Sequence, residues 1–102
     1  MNAVTVLVTY RPKKGKDKAF LSILKRHWPA LKKAGLVTRT PARVWNATDK
    51  RRGRRYYVEM FAWKDVSASD RAHQTPAVMA VWGPMQPLLE SMDIAVVEPV
   101  AL

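Results

Sequence analysis

Two residues of this chain are placed to move a proton. His73 lies in Ala72-His-Gln-Thr-Pro76, where one helical start signal gives way to another. An imidazole at such a junction can serve as a general base, bind a haem iron, or be the hydrogen-bond partner of a bound phenol or quinone. It can equally tie the junction together through backbone hydrogen bonds. Glu59 is a carboxylate in the middle of the apolar run 56–63. If it faces the helices, it is a candidate base for a phenolic or enolic proton. If it faces an interface or a sheet edge, it pairs with Arg43 or Arg39, which is the favoured arrangement for a carboxylate among apolar neighbours. Alternation places Glu59 on one strand face with Tyr57, Phe61 and Trp63. Together with Trp82, and with Tyr10 and Trp45, these form an aromatic set able to line a flat substrate site or to pack as core. Trp45 and Trp63, at strand ends, are the members expected at a cavity rim. The other histidine, His27, falls on a helical stripe with core residues. There is no Gly-rich phosphate loop, no Ser/His/Asp arrangement in a recognisable context and no metal-ligand clustering. No cofactor and no metal are expected.

The elements that must position these groups follow from periodicity. Residues 3–10 alternate and are rich in Val and Thr, which predicts a strand, apolar on both faces and so covered on both. A basic turn over 11–18 precedes a helix whose stripe is Ala19, Phe20, Ile23, Leu24, His27, Trp28 and Leu31. Pro29 should disturb that helix at its fourth turn, and Gly35 should end it. A second strand is predicted over 36–46, with Pro41 marking an edge, bulge or bend. A loop over 47–55 carries Lys50, Arg51, Arg52, Arg54 and Arg55. The third strand, 56–63, is the most strand-like segment. Ser67 and Asp70 resemble a capping box, and Thr75-Pro76 a second helix start. Gly83-Pro84 should kink or restart the helix, which is expected to run on through Leu88, Leu89 and Met92. A last strand is placed at 94–100. The order is β-α-β-β-α-β, an α+β ferredoxin-like sandwich with helices on one sheet face, and the 102 residues are read as a single domain, 1–102. The first, third and fourth strands are read as apolar on both sides, so the second sheet face should be buried against a second copy.

Composition narrows the classes. The chain has no cysteine, so a disulfide framework and thiolate metal sites are out. The N-terminal run has no basic leader and reads as a strand rather than a signal peptide. No apolar run approaches membrane-spanning length, and a cytoplasmic location is expected. The net charge of +10 fits either a basic solvated surface or attraction to an anion. Arg52-Gly-Arg-Arg-Tyr-Tyr-Val58 loosely resembles an RNA-recognition strand, but arginines occupy the first aromatic sites and the sheet lacks a solvated stacking face. Nucleic acid is therefore not expected as a partner; the 50–55 run reads as a solvated hairpin tip that protects an edge.

The stretches Val58-Glu-Met-Phe-Ala-Trp-Lys-Asp65 and Ala72-His-Gln-Thr-Pro-Ala-Val-Met-Ala-Val-Trp-Gly-Pro-Met85 resemble the third strand and second helix of antibiotic-biosynthesis-monooxygenase domains. The resemblance implies a dimeric α/β barrel, with a pocket in each subunit between its own sheet and helices. It implies either oxidation of quinol-like or polyketide compounds by molecular oxygen without a cofactor, or haem degradation, or no known activity. Haem-degrading relatives pair a strand tryptophan with an iron-binding helix histidine, which Trp63 and His73 match. Their first-strand asparagine has no counterpart, since Thr9 and Tyr10 stand there. The expectation is a homodimer that binds a small aromatic or quinone-like molecule and acts as a monooxygenase on an aromatic or enolic substrate. His73 is the expected catalytic group, with Tyr57, Glu59, Phe61, Trp63 and Trp82 around the substrate. A non-catalytic ligand-binding barrel, a haem protein and a nucleic-acid-binding domain are the alternatives, in that order.

Overall fold

A computed structural model describes residues 2–102. The elements run β1 (Val4–Pro12), α1 (Asp17–Leu24), α2 (His27–Lys33), β2 (Arg43–Thr48), β3 (Arg55–Trp63), α3 (Ala68–Ala72), α4 (Pro76–Met85), a 3-10 turn (Gln86–Leu88) and β4 (Leu89–Val96). The four strands form one antiparallel sheet in the order β2-β3-β1-β4. This is an α+β ferredoxin-like fold.

The register assigns the sheet faces. Val4, Val6, Val8 and Tyr10 pair with Trp63, Phe61, Glu59 and Tyr57. All of these but Val4 are buried, because the helices cover this face. Phe20, Leu24, Leu31, Val78, Val81 and Met85 meet them from the helices. The opposite face carries Leu7 beside Met60, Thr9 beside Val58, and Trp45 beside Val58. No helix covers it, and the fold is a slab 41 × 41 × 18 Å.

The local departures from the sequence expectations have physical causes. The first helix is two helices, parted at Lys25-Arg26. Pro29 then falls in the first turn of α2, where its missing N–H costs nothing, instead of breaking a continuous helix. The second strand is shorter and later than expected. Val37 makes an isolated bridge to Trp63, the chain bends around Pro41, and regular pairing starts at Arg43 on the sheet edge. The Ser67/Asp70 capping box does not form. Asp65, buried, accepts from both Ser67 N–H (3.0 Å) and Ser67 Oγ (2.9 Å), and Arg71 lies 3.3 Å away. Thr75 does occupy the N-cap ahead of Pro76, but its hydroxyl donates back to the Arg71 carbonyl at 2.8 Å. The last strand begins at Leu89, so Leu89 and Met92 are strand residues and not a continuation of the helix. Its open-face residues are Ser91, Asp93 and Ala95, opposite Arg11, Thr9 and Leu7. The fourth strand is therefore not apolar on both sides. Its apolar residues Met92, Ile94 and Val96 lie on the helix side but are 37%, 61% and 66% exposed, because no helix reaches that edge.

Candidate functional site

The most buried polar groups of the sheet–helix layer form one cluster. Glu59, at the centre of β3, is 1% exposed, and Val8 stands beside it in the register. Its Oε1 accepts from the Tyr10 hydroxyl at 2.6 Å. His27 Nδ1 lies 3.0 Å from Oε1 and 3.1 Å from Oε2. A nitrogen held against both oxygens of a carboxylate carries the proton, so Nδ1 donates and Nε2 is left as the acceptor. Burial, and then the Glu59 charge beside it, push the Tyr10 hydroxyl far above the ordinary phenol range. Tyr10 thus stays a donor to the carboxylate.

His27 Nε2 is buried and has no hydrogen-bond partner among the described residues. A buried polar atom without a partner costs free energy comparable to a lost hydrogen bond, and Trp28 Nε1 is in the same state. The His27 residue lines a cavity of about 120 Å³ between the sheet and α3–α4. The floor is Val6, Val8, Tyr10, Phe61 and Trp63; Trp82 and Met85 close it from α4; Met92 and Ile94 form its side at the uncovered β4 edge. Phe61 meets the His27 ring edge-on at 5.7 Å, and Trp82 lies 6.0 Å from it. His73 lines the same cavity, with its ring 4.9 Å from Trp82. Its Nδ1 donates to the Ser69 carbonyl at 2.8 Å, which leaves its Nε2 as an acceptor. An apolar cavity of roughly 150 Å³ accepts benzene, so this one has single-ring dimensions. Among the described residues no three His, Cys, Asp or Glu side chains gather as a metal-ligand cluster.

No family model matches the sequence, and no curated protein is similar to it. Solved structures share its fold. SnoaB, a cofactor-independent oxygenase from Streptomyces nogalater, superposes with a TM-score of 0.69 at 16% identity, over 98% of this chain and 97% of that one. An uncharacterized NIPSNAP domain protein from Burkholderia xenovorans gives 0.67 at 22% identity, over 96% and 95%. At3g17210 from Arabidopsis thaliana gives 0.76 at 9% identity, over 97% of each chain. This chain has the fold those proteins share. At such identities the likeness speaks for architecture and not for a reaction.

The expected site residues divide. Phe61, Trp63, Trp82 and His73 do border one cavity. Tyr57 does not. It is paired with Tyr10 in the register, but its hydroxyl reaches outward to donate to Asp17 at 2.9 Å, in a separate open cleft. Burial, followed by that hydrogen bond, raises its pKa. Glu59 stands in the wall behind Tyr10 and His27 and makes no ion pair with Arg43 or Arg39. Arg43 pairs with Met60 on the opposite sheet face and lies over Trp45, 5.1 Å from the ring centroid. Trp45 is on that face too, away from the cavity. Sequence reasoning missed His27, reading it as core, and it placed Tyr10 in the aromatic set without its hydrogen bond to Glu59. The available signal was Pro29, which is tolerated in a first helical turn and so allows a helix that starts at His27.

Proposed function

We propose that this cavity binds a small aromatic or enolic compound and that His27, oriented by Glu59, takes its acidic proton. The observation that carries this reading is His27, which lines an apolar cavity with Nε2 buried and unpartnered among the described residues while Nδ1 is held by a carboxylate. A carboxylate behind an imidazole fixes the tautomer and stabilises the imidazolium once the proton arrives. His73, across Trp82 from His27, offers a second acceptor that orients the bound ring. The base is therefore His27 in place of His73, which the sequence alone favours.

The reaction that fits is monooxygenation by molecular oxygen. Loss of a proton makes the substrate an electron-rich phenolate or enolate. A ring or enolic methylene then becomes a carbonyl: one oxygen atom enters the substrate, the other leaves as water, and the substrate supplies all four electrons. The fold shared with SnoaB, a cofactor-independent oxygenase, supports this choice. The dry walls would shield the anion from protonation by solvent. Oxygen uptake with a panel of single-ring phenols and quinols tests it. His27→Ala should lower the rate by roughly 10²–10⁴, the usual worth of a positioned base, and His73→Ala by less. Uptake unchanged in His27→Ala removes the assignment.

The active form in this reading is a homodimer, with the open sheet faces of two copies packed together into a barrel. Leu7, Trp45, Val58, Met60 and Ala62 would form the buried centre of the contact. Uncovered, they make an apolar sheet face of a kind monomers rarely expose.

A further inference from the structure

The charge of this chain is gathered by its fold. β1 ends at Pro12 and β3 begins at Arg55 at the same end of the sheet, where Tyr10 pairs with Tyr57 and Pro12 with Leu89. The β1–α1 loop with the first turn of α1, and the β2–β3 turn, therefore meet although some 35 residues separate them. Arg11, Lys13, Lys14, Lys16 and Lys18 come from the first; Lys50, Arg51, Arg52, Arg54 and Arg55 from the second. Only Asp17, Asp49 and Glu90 oppose them, so this pole holds seven of the ten net positive charges. Those acids are largely occupied. Asp49 Oδ1 accepts from the N–H groups of Arg51 and Arg52 at 2.9 and 3.0 Å, which shapes the turn and lowers its pKa. Asp17 accepts from Tyr57. Among the described residues Arg54–Glu90, at 2.8 Å, is the one ion pair at this pole. All ten basic side chains are exposed except Arg11, half-buried against Tyr56 with its guanidinium 4.4 Å from the ring centroid. Like charges so concentrated repel one another, and the fold supplies no counter-charge to match.

We propose, in place of the solvated hairpin tip expected from the sequence and against its exclusion of nucleic acid, that this pole is a docking surface for the phosphodiester backbone of nucleic acid, separate from the cavity and independent of its chemistry. Half of the ten cations are arginines, whose fork matches phosphate oxygens. The open cleft between the two loops has Lys14, Arg54 and Arg55 on its walls. It also holds the carboxylates of Asp17 and Glu90, which disfavours a small enclosed anion and leaves an extended polyanion that touches the surrounding rim. None of the large exposed apolar side chains lies in residues 11–18 or 49–55, so the surface lacks the apolar anchors of an interfacial membrane binder. Tyr57 is buried and Tyr56 lies under Arg11, so no aromatic is free to stack bases. The contact is with the backbone and does not read sequence.

The test uses the intact protein and fluorescein-labelled 20-mers, a DNA duplex and a single-stranded RNA, followed by anisotropy from 50 to 200 mM salt. Binding with a log–log salt slope between roughly −3 and −6 is expected, about 0.9 per phosphate on duplex. The triple variant Lys50→Glu, Arg51→Glu, Arg52→Glu should weaken binding at least tenfold and flatten the slope. Lys32→Glu with Lys33→Glu, charge reversals on α2, should change it less than threefold. The arms show which strand form is preferred. Three results overturn the proposal: no binding at 50 mM salt, equal losses per reversed charge in both sets of variants, or binding to vesicles rich in phosphatidylserine without binding to either 20-mer.

Discussion

Replacing Glu59 by Gln keeps the shape of the side chain and removes its charge. The amide has one acceptor oxygen where the carboxylate has two, and it adds an N–H₂ donor. Tyr10 needs an acceptor at 2.6 Å, and His27 Nδ1 needs one at 3.0 Å. If the amide oxygen serves Tyr10, the amide N–H faces Nδ1. The imidazole then takes its other tautomer, and Nε2 becomes a donor toward the cavity. If the oxygen serves His27, Tyr10 is left facing a second donor. A neutral hydrogen bond is worth about 0.5–1.5 kcal/mol. The bond that a ligand hydroxyl donates to Nε2 is replaced by one that Nε2–H donates to the ligand oxygen, so a ligand with a hydroxyl loses an advantage of about 1 kcal/mol, or about fivefold in affinity. Phenol suits the single-ring cavity, and anisole has the same ring without the donor. Titrating each into the protein, by calorimetry or by quenching of the Trp63 and Trp82 fluorescence, should show that the native chain prefers phenol. Glu59→Gln should lose that preference, because Nε2–H then meets an acceptor oxygen in either ligand. Turnover of an ionisable substrate should fall by roughly 10²–10⁴. A folded Glu59→Gln protein that still prefers phenol as strongly as the native one would refute the claim that Glu59 sets the proton position on His27.

Other outcomes follow from the same contacts. Tyr10 should remain un-ionised near pH 10, where free phenols titrate. Its folded pKa is raised, so its contribution to stability is complete below the unfolded value and declines only at still higher pH; an ultraviolet titration that reached the full three-tyrosine amplitude near pH 10 would contradict this. Asp65 has its pKa lowered, first by the hydrogen bond from Ser67. Its contribution is present above the ordinary carboxylate value of about 3.9 and disappears as pH falls through the lower folded value; Asp65→Asn should flatten that part of a plot of melting temperature against pH. Met60→Arg, on the open face, should shift the mass measured by light scattering to that of a monomer without unfolding the chain, and an unaltered dimer would place the interface elsewhere.

The fold was legible because strand and helix periods are local properties. Alternation over 3–10 and 56–63, the stripe through Phe20, Leu24 and Leu31, and the start at Thr75-Pro76 each predict an element from neighbours in the chain. The cavity aromatics Phe61 and Trp63 were legible for the same reason, since they share one strand face. What sequence could not decide was which face of β3 meets the helices. That parity comes from long-range register, and it determines whether Glu59 meets an arginine or meets Tyr10 and His27, 49 and 32 residues away in the chain. A buried carboxylate takes whatever donors packing brings to it, and packing is not a local property. The same holds for the +10 charge. Its amount and its two runs are written in the sequence, but antiparallel pairing of β1 with β3 places the runs side by side. His27, in a helical stripe, looks like any core residue until tertiary structure leaves one of its nitrogens without a partner.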